Sequence, residues 1–143
     1  MNQNEINSVL ADNLTQILNV CSVVLPSMIK RHSGAIINIS SVQGVTGAAC
    51  EAVYSAAKGA LNSFTKALSK EAAPNGVRVN AIAAGVIKTR MNDFLNEQEK
   101  NALKEQIPLG RFGTANEVAE AVYFLSFAEY ITGQILSVDG GWT

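Results

Sequence analysis

The chain has 143 residues and a net charge of −1, with 48% apolar and 16% charged residues. A chain of this length and composition can bury a core, which excludes a disordered protein. Its balanced charge gives no electrostatic basis for binding nucleic acid or an anionic membrane. No uninterrupted apolar run approaches the roughly 18–20 residues of a membrane span, and the polar start lacks a secretory n-region. We therefore expect one cytoplasmic domain over residues 1–143.

The cysteine and histidine content predicts no metal site. Cys21 and Cys50 lack metal-type spacing, and His32 is the single histidine. We expect both cysteines to be buried free thiols, with one disulfide as the alternative. His32 is predicted in the last turn of the first helix, where it would interact favourably with the helix dipole.

Helical and extended patterns alternate along the chain, as judged from apolar spacing and helix caps. Pro26 should kink the first helix or begin a new turn, and Ser33-Gly34 should end it. Thr114 and Glu117 predict a capping box on the last helix, whose apolar face should include Phe124. The predicted elements are, in order, helix 5–31, strand 35–40, helix 52–73, strand 77–83, helix 97–106, the helix capped by Thr114, and strand 134–138.

This alternation predicts an α/β fold with a parallel sheet and flanking helices, of the Rossmann-like doubly wound type. Only three strands can be counted, which is few for such a sheet. The sequence also contains no glycine-rich nucleotide loop. We therefore expect the carboxyl-terminal half of the fold without its amino-terminal nucleotide-binding half, with an unpaired edge on the first strand.

Tyr54 and Lys58 are the most informative pair in the chain. Residues four apart share one face of a helix, so the two side chains should lie together. A tyrosine can protonate a carbonyl oxygen if its pKa falls from about 10 towards neutrality, a change worth about 4 kcal/mol. An ammonium at about 4 Å supplies a similar energy. Chance alone also produces this spacing, and an exposed helix pair is then the alternative reading.

Ser41 and Asn13 extend this pair towards a catalytic site. Ser41 ends the first predicted strand, at the sheet edge where open α/β sheets bind ligands. Its hydroxyl can orient a substrate oxygen against Tyr54. Asn13 lies upstream in the first helix. The chemistry that this set favours is proton transfer to or from a carbonyl or alcohol oxygen.

With these motifs the chain resembles the short-chain dehydrogenase/reductase family over essentially all 143 residues. The resemblance implies a catalytic tetrad of Asn13, Ser41, Tyr54 and Lys58. In that family tyrosine is the general acid/base, lysine also binds the nicotinamide ribose, serine polarises the carbonyl, and asparagine holds a relay water. The matching segments are Asn13-Leu14, 36–41, 54–59, 77–80, 84–89, 108–113, 130–133 and 138–141.

The resemblance also implies NADP(H) or NAD(H) as the cofactor, and the preference between them cannot be read from this sequence. Ala84 stands where the family usually has proline. Family members are longer and begin with a strand, a glycine-rich loop and a helix. The chain is therefore expected to be a truncated form with impaired cofactor binding. The implied cofactor-binding residues are Tyr54, Lys58, Ala84, Gly85, Val86, Ile87 and Thr89.

Within the family the chain is most similar to bacterial 3-oxoacyl-carrier-protein reductases of fatty acid biosynthesis. The tract 47–51 is also similar to elongation factor P 5-aminopentanone reductases. The expected partners are a small-molecule or carrier-bound carbonyl substrate and a homo-oligomer, such as a tetramer, or an intact homologue. Two other functions stay open: a non-catalytic remnant that assembles with intact relatives, and a binding or scaffolding module.

Overall fold

The computed structural model describes residues 2–92 and 95–143. Its three strands form one sheet in the order β1-β2-β3, and both strand pairs are parallel. The α/β fold class predicted from the sequence is thereby confirmed. The strands are β1 (Gly34–Ser41), β2 (Val77–Ala84) and β3 (Ile135–Val138). The α-helices are α1 (Gln3–Leu10), α2 (Gln16–Lys30), α3 (Gln43–Thr46), α4 (Ala52–Ala72), α5 (Glu97–Glu105) and α6 (Ala115–Phe127), with 3-10 turns at Ala73–Asn75 and Arg90–Asn92.

Helices cover both faces of the sheet. On one face α2 and α4 pack on β1 and β2, where Cys21, Leu68 and Val79 belong to one buried apolar cluster. On the other face α6 lies against β1 and β2. There the Arg78 guanidinium donates to the carbonyl of Leu125 at 2.6 Å and so ties β2 to the end of α6. The strands thus form the middle layer of three.

β1 is an edge strand in the part of the chain that the structure describes. Val42 N–H donates to the Ala84 carbonyl at 3.0 Å, so the even-numbered residues of β1 hydrogen-bond β2. Alternate residues direct their peptide groups to opposite sides of a strand. The N–H and C=O groups of Ile37, Ile39 and Ser41 therefore point to the open edge. The predicted unpaired edge is confirmed. The prediction of a fully buried strand is wrong, because Ile39 is 46% exposed where no neighbour covers it.

The first helix is continuous from Gln3 to Lys30 but irregular near its middle. A π-helical turn, Ala11–Thr15, joins α1 to α2. Pro26 lies inside α2, and the helix continues through it, so no new helix begins there; the alternative expectation, a kink at Pro26, stays a prediction. The apolar residues that recur at helical spacing along this helix are all buried or half-buried. They are Ile6, Val9, Leu10, Leu14, Ile17, Leu18, Cys21, Val24, Leu25 and Met28.

This first helix also corrects the expectation about membrane spans. The 28 residues of Gln3–Lys30 are long and apolar enough to cross a membrane, and only 6% of the most apolar window is buried. The criterion of an uninterrupted apolar run does not detect this helix, because polar residues are interspersed among its apolar ones. Length and composition are weak evidence for a span, since core helices and signal sequences meet the same criterion.

The helix end also differs from the prediction. Gly34 is the first residue of β1, and the left-handed residue after α2 is His32, with φ of 52°. His32 therefore lies beyond the last helical turn, where its backbone N–H donates to the Ile29 carbonyl at 3.0 Å. The turn is closed by backbone hydrogen bonds, so it does not depend on a glycine.

Two side chains are more exposed than predicted. Cys50 and Cys21 are both free thiols, but only Cys21 is buried, and burial raises the pKa of that thiol. Phe124 is 55% exposed because α6 directs Leu125 to the sheet instead. The predicted capping box of α6 is confirmed, with Thr114 Oγ1 accepting from Glu117 N–H at 3.2 Å.

Candidate active site

α4 brings Tyr54 and Lys58 together as their spacing predicts. The Lys58 Nζ lies 5.6 Å from the centre of the Tyr54 ring. Lys58 is only 8% exposed, and this burial lowers the pKa of its ammonium. Tyr54 is half-buried one turn nearer the start of the helix. The pair is therefore a partly desolvated phenol beside a cation.

Lys58 is also bound to β1, close to Ser41. Its Nζ donates to the Ile39 carbonyl at 3.1 Å. In the same contact region the Ser40 hydroxyl donates to the Lys58 carbonyl at 3.3 Å. These two hydrogen bonds place the start of α4 at the carboxyl end of β1, which is the end predicted to carry the site.

Ser41 ends β1 and is 9% exposed. Its Oγ accepts the backbone N–H of Gln43 at 3.2 Å, at the beginning of α3. A hydroxyl that accepts one hydrogen bond keeps its own hydrogen available for a further acceptor. Ser41 is thus oriented by the backbone and able to donate to a carbonyl oxygen.

Asn13 lies in the π-helical turn, and this turn contacts α4. Its Nδ2 donates to the Val9 carbonyl at 3.0 Å, so the side chain binds its own helix. The structure therefore places the segment that bears Asn13 against α4, the helix that carries Tyr54. Among the described residues, Asn13 forms no direct hydrogen bond with Lys58. π-Helical turns occur often at functional sites. Nothing in the local sequence signalled this one.

The end of β2 and the loop after it contain the other predicted contact residues, with Ala84 as the last residue of the strand and Gly85 to Thr89 in the loop. Gly85 is required by space, because a Cβ there would lie 2.7 Å from the Asp139 Cα. Val86 and Lys88 hydrogen-bond Gly113, which directs the peptide groups of Ile87 to the opposite side. The Ile87 carbonyl is already bound, accepting from Asn92 Nδ2 at 2.6 Å.

A cavity of about 580 Å³ adjoins this loop, on the side of β3. Its lining includes Val86, Ile87, Arg111 and Asp139. None of the four predicted catalytic residues contributes to it. The lining of the cavity is therefore separate from the Tyr54–Lys58 pair.

Sequence reasoning missed a set of buried polar residues between β1 and α4. Asn38 Nδ2 donates to Thr65 Oγ1 at 2.9 Å, and both residues are buried. Together with the Ser40–Lys58 contact this fixes the position of α4 along β1. A signal was present, because Asn38 and Ser40 alternate within an apolar strand and must share one face.

Gly44 allows α3 to pack directly on α4. A Cβ at Gly44 would lie 2.6 Å from the backbone carbon of Lys58. The Gly44 carbonyl accepts from Asn62 Nδ2 at 3.1 Å, which holds α3 on the same helix. The backbone on both sides of Ser41 is thus anchored to α4.

Comparisons with known proteins agree with this geometry. The family model described as Enoyl-(Acyl carrier protein) reductase matches residues 1–143. The chain is 50% identical over 143 residues to 3-oxoacyl-[acyl-carrier-protein] reductase FabG of Chlamydia trachomatis, covering 99% of this chain and 58% of that protein. It is 50% identical over 135 residues to FabG of Aquifex aeolicus, covering 93% and 54%. It is 52% identical over 121 residues to the uncharacterized oxidoreductase YmfI of Bacillus subtilis, covering 83% and 50%. The chain therefore spans a little over half the length of the relatives it matches.

Proposed function

The chain belongs to the short-chain dehydrogenase/reductase family, and we propose that it carries the catalytic half of an NAD(P)H-dependent ketone reductase. The observation that supports this most directly is the buried Lys58 ammonium beside the Tyr54 ring, next to the end of β1 that carries Ser41.

Tyr54 is proposed to donate the proton that the reduced carbonyl oxygen requires. The neighbouring Lys58 ammonium stabilises the phenolate that remains after proton transfer. Ser41 donates a hydrogen bond to the same oxygen and orients it against the phenol. Positioned proton transfer of this kind contributes about 10²–10⁴-fold to a rate. Asn13, from the π-helical turn beside α4, completes the proposed tetrad.

The groups at this end of the sheet have the chemistry needed for the nicotinamide and its ribose. Lys58 offers donors for ribose hydroxyls, and the outward N–H of Ile87 offers a donor for the carboxamide oxygen, since the Ile87 carbonyl already accepts from Asn92. Ala84, Gly85, Val86 and Thr89 complete the proposed contact loop. When bound, NAD(P)H supplies the hydride. The G-x-G-x-x-G spacing that holds a pyrophosphate does not occur in this sequence.

The proposed substrate is a 3-oxoacyl thioester or a related carbonyl, carried by an acyl carrier protein or free. Support comes from two relatives named as 3-oxoacyl-[acyl-carrier-protein] reductases at 50% identity. A cytoplasmic homo-oligomer, such as a tetramer, is the proposed form. Fatty acid biosynthesis is then the process that would use the product.

Substitution of Tyr54 tests the catalytic assignment. The protein is reconstituted with the part of the Chlamydia trachomatis reductase outside the match, and NADPH oxidation by an acetoacetyl thioester is followed. Tyr54→Phe keeps the ring and removes the proton donor, so activity should fall about 10²–10⁴-fold. Tyr130→Phe is the matched control, because Tyr130 is fully exposed in the turn that follows α6. Activity of Tyr54→Phe within about tenfold of the parent would refute the assignment.

Cofactor titration tests the nicotinamide half-site on the chain alone. We expect the 143-residue protein to bind NADPH far more weakly than the micromolar range, since contacts to the pyrophosphate and adenosine are missing. Losing 3–4 kcal/mol of such contacts weakens binding by two to three decades. Calorimetric titration measures this directly. Micromolar binding by the parent chain would contradict the proposed division of the cofactor site.

A second candidate function is a non-catalytic module that assembles with intact relatives. The exposed aromatic pair Tyr123 and Phe127 on α6, 4.9 Å apart between ring centres, favours an interaction surface there. Mixing the chain with full-length FabG separates the two functions. An assembly module would form mixed oligomers whose activity does not change with Tyr54→Phe in this chain.

A further inference from the structure

We propose that Arg111 and Glu117 are positioning residues for the loop after β2. Together they fix the backbone at Gly113, and Gly113 in turn fixes the direction of the Ile87 N–H. Their effect on cofactor binding rests on the proposed function, which assigns that N–H to the carboxamide of the nicotinamide. The connection between the two segments, residues 86–88 and 111–117, does not rest on it and is measured without nucleotide or substrate.

Two backbone hydrogen bonds attach this loop to the segment before α6. Gly113 N–H donates to the Val86 carbonyl at 2.9 Å, and Lys88 N–H donates to the Gly113 carbonyl at 2.8 Å. Gly113 thus binds the residues on both sides of Ile87, as in a pair of parallel strands. A shift of Gly113 would therefore turn the Ile87 N–H, which points to the other side of the loop.

The Glu117 carboxylate holds the chain on both sides of Gly113. It accepts two hydrogen bonds from the Arg111 guanidinium, at 2.6 Å and 3.1 Å, in the paired geometry that is strongest for these groups. Its Oε2 also accepts from the backbone N–H and the hydroxyl of Thr114, at 2.8 Å and 3.0 Å. Gly113 lies between Arg111 and Thr114 in the chain, so one carboxylate fixes the short segment that contains it.

Side-chain packing between the two segments is incomplete. Both line the cavity of about 580 Å³, with Val86 and Ile87 from the loop and Arg111, Gly113 and Glu117 from the other segment. The Ile87 side chain does pack on Gly113, since a Cβ at Gly113 would lie 2.8 Å from the Ile87 Cδ1. The hydrogen bonds of the Arg111–Glu117 pair therefore supplement a contact that packing covers only in part.

The pair acts on cofactor binding and not on proton transfer. Tyr54 and Lys58 lie on α4, and neither belongs to the lining of the cavity that the two segments share. A looser loop should therefore weaken the binding of NAD(P)H, while the chemistry of the tyrosine–lysine pair stays the same.

Amide hydrogen exchange, measured by NMR on the whole chain alone, tests the connection. Arg111→Met removes the guanidinium and leaves the cap of α6 in place. The Gly113 and Lys88 amides should then exchange about two- to fivefold faster, which is the range for an exposed ion pair. Arg111→Lys keeps the charge but loses the paired geometry, so it should restore only part of the protection.

Two controls separate this effect from a general loss of stability. Glu120→Gln changes another carboxylate of α6, which binds a neighbouring side chain of the same helix, and it should leave both amides unchanged. The Ala81 amide, which donates at 2.8 Å to the residue before β3, should exchange equally in all variants. If Arg111→Met leaves the two amides unchanged, or accelerates Ala81 equally, the proposal is overturned.

A double variant shows whether the two residues act as one unit. Arg111→Met should accelerate exchange at Gly113 and Lys88 in the parent but not in a Glu117→Ala background, where the pair is already broken. Equal acceleration in both backgrounds would show that Arg111 acts without Glu117, which contradicts the proposed pair.

The role in cofactor binding is measured on the protein reconstituted with the remainder of the Chlamydia reductase. Arg111→Met should raise the KM for NADPH about two- to fivefold and leave kcat and its pH profile unchanged. An unchanged KM, with the exchange effect present, would overturn the positioning role. A parent protein that oxidises no NADPH would refute the proposed function and the positioning role with it, whereas the connection between the segments is decided by hydrogen exchange alone.

Discussion

The two edges of the three-stranded sheet are built differently. β1 has eight residues with a row of isoleucines, and at its edge the Ile39 carbonyl is bound by a lysine side chain. β3 has four residues and is followed by Asp139, whose carboxylate accepts from the backbone of Gly141 and Thr143. Short strands that close on local contacts are typical of true sheet edges. β1 instead has the composition of a strand from the interior of a sheet.

The two edges therefore differ both in composition and in the groups that hold them. The β3 side is closed by the chain itself. The β1 side depends on groups that belong to the active site, since Lys58 contacts both the edge and Tyr54. Four sets of substitutions test how far the two sides differ.

Proline substitutions in β1 should give the largest effect. Ser40→Pro removes an N–H that faces β2 and leaves the fully buried Ile82 carbonyl without its donor. We expect a loss of about 2–4 kcal/mol in the free energy of unfolding. Ile39→Pro removes only an edge-facing N–H and should cost clearly less. Urea denaturation measures both, and equal losses would show that the edge of β1 is not open.

Thr65→Val should give the next largest effect. It leaves the buried Asn38 amide without its acceptor, which costs about 1–3 kcal/mol. Thr65→Ser keeps the hydroxyl and removes one methyl group, worth about 0.8 kcal/mol. The thermal unfolding temperature should therefore be highest for the parent, lower for Thr65→Ser and lowest for Thr65→Val. A valine variant as stable as the parent would mean that β1 is not held on α4 by this hydrogen bond.

Lys58→Met should raise the free energy of unfolding at neutral pH, because burial disfavours the ammonium. The pKa of Lys58 is lowered from its ordinary value of 10.5, so the unfolded chain holds the proton more strongly. Stability contributed by the parent lysine should then rise as pH increases from the folded pKa towards 10.5. Lys58→Met should lack that rise and Lys66→Met should keep it. If the free energy of unfolding of the parent and of Lys58→Met changed with pH in parallel, burial of the ammonium would not reduce stability.

The smallest effect is expected on the β3 side, at the cap of α6. A hydrogen bond from Arg111, with further bonds from Thr114, lowers the pKa of Glu117 from 4.5 to about 2. Its stabilising effect should be complete above pH 4.5 and lost as pH falls through about 2. Glu117→Gln should make the free energy of unfolding slightly less dependent on acid pH. The effect should be small because the Arg111–Glu117 pair is exposed, and Glu129→Gln should have no such effect. An unchanged acid transition in Glu117→Gln would show that the cap contributes nothing.

Sequence patterns predicted those parts of the molecule in which local chemistry decides the structure. Tyr54 and Lys58 lie side by side because helix geometry places residues four apart on one face. Thr114 caps α6 by exchanging hydrogen bonds with Glu117, three residues later in the chain. The parallel sheet followed from alternation of helices and strands. The roles of Asn13, Ser41, Tyr54 and Lys58 came from family resemblance and stay predictions.

The remaining features depend on tertiary contacts that no local pattern records. Ile39 looked buried because its neighbours in sequence are apolar, but exposure depends on whether another strand lies beside it. Pro26 allowed two expectations, a kink or a new turn, and the helix continues through it. The π-helical turn lies where α1 meets α4 and α2 meets β1, and a spacing rule cannot anticipate it.

That turn has an evolutionary consequence. A π-helical turn holds one residue more than an α-helical turn, so Ala11–Thr15 has the form of a single-residue insertion accommodated without breaking the helix. Removing one residue from it would leave a regular α-helical turn and keep α1 close to its present orientation against α4, which α1 now contacts. Removing one residue from α1 or α2 would instead rotate the two parts of the helix by about 100° relative to each other. The segment that bears Asn13 is therefore the place in this helix where a single-residue deletion disturbs the packing least.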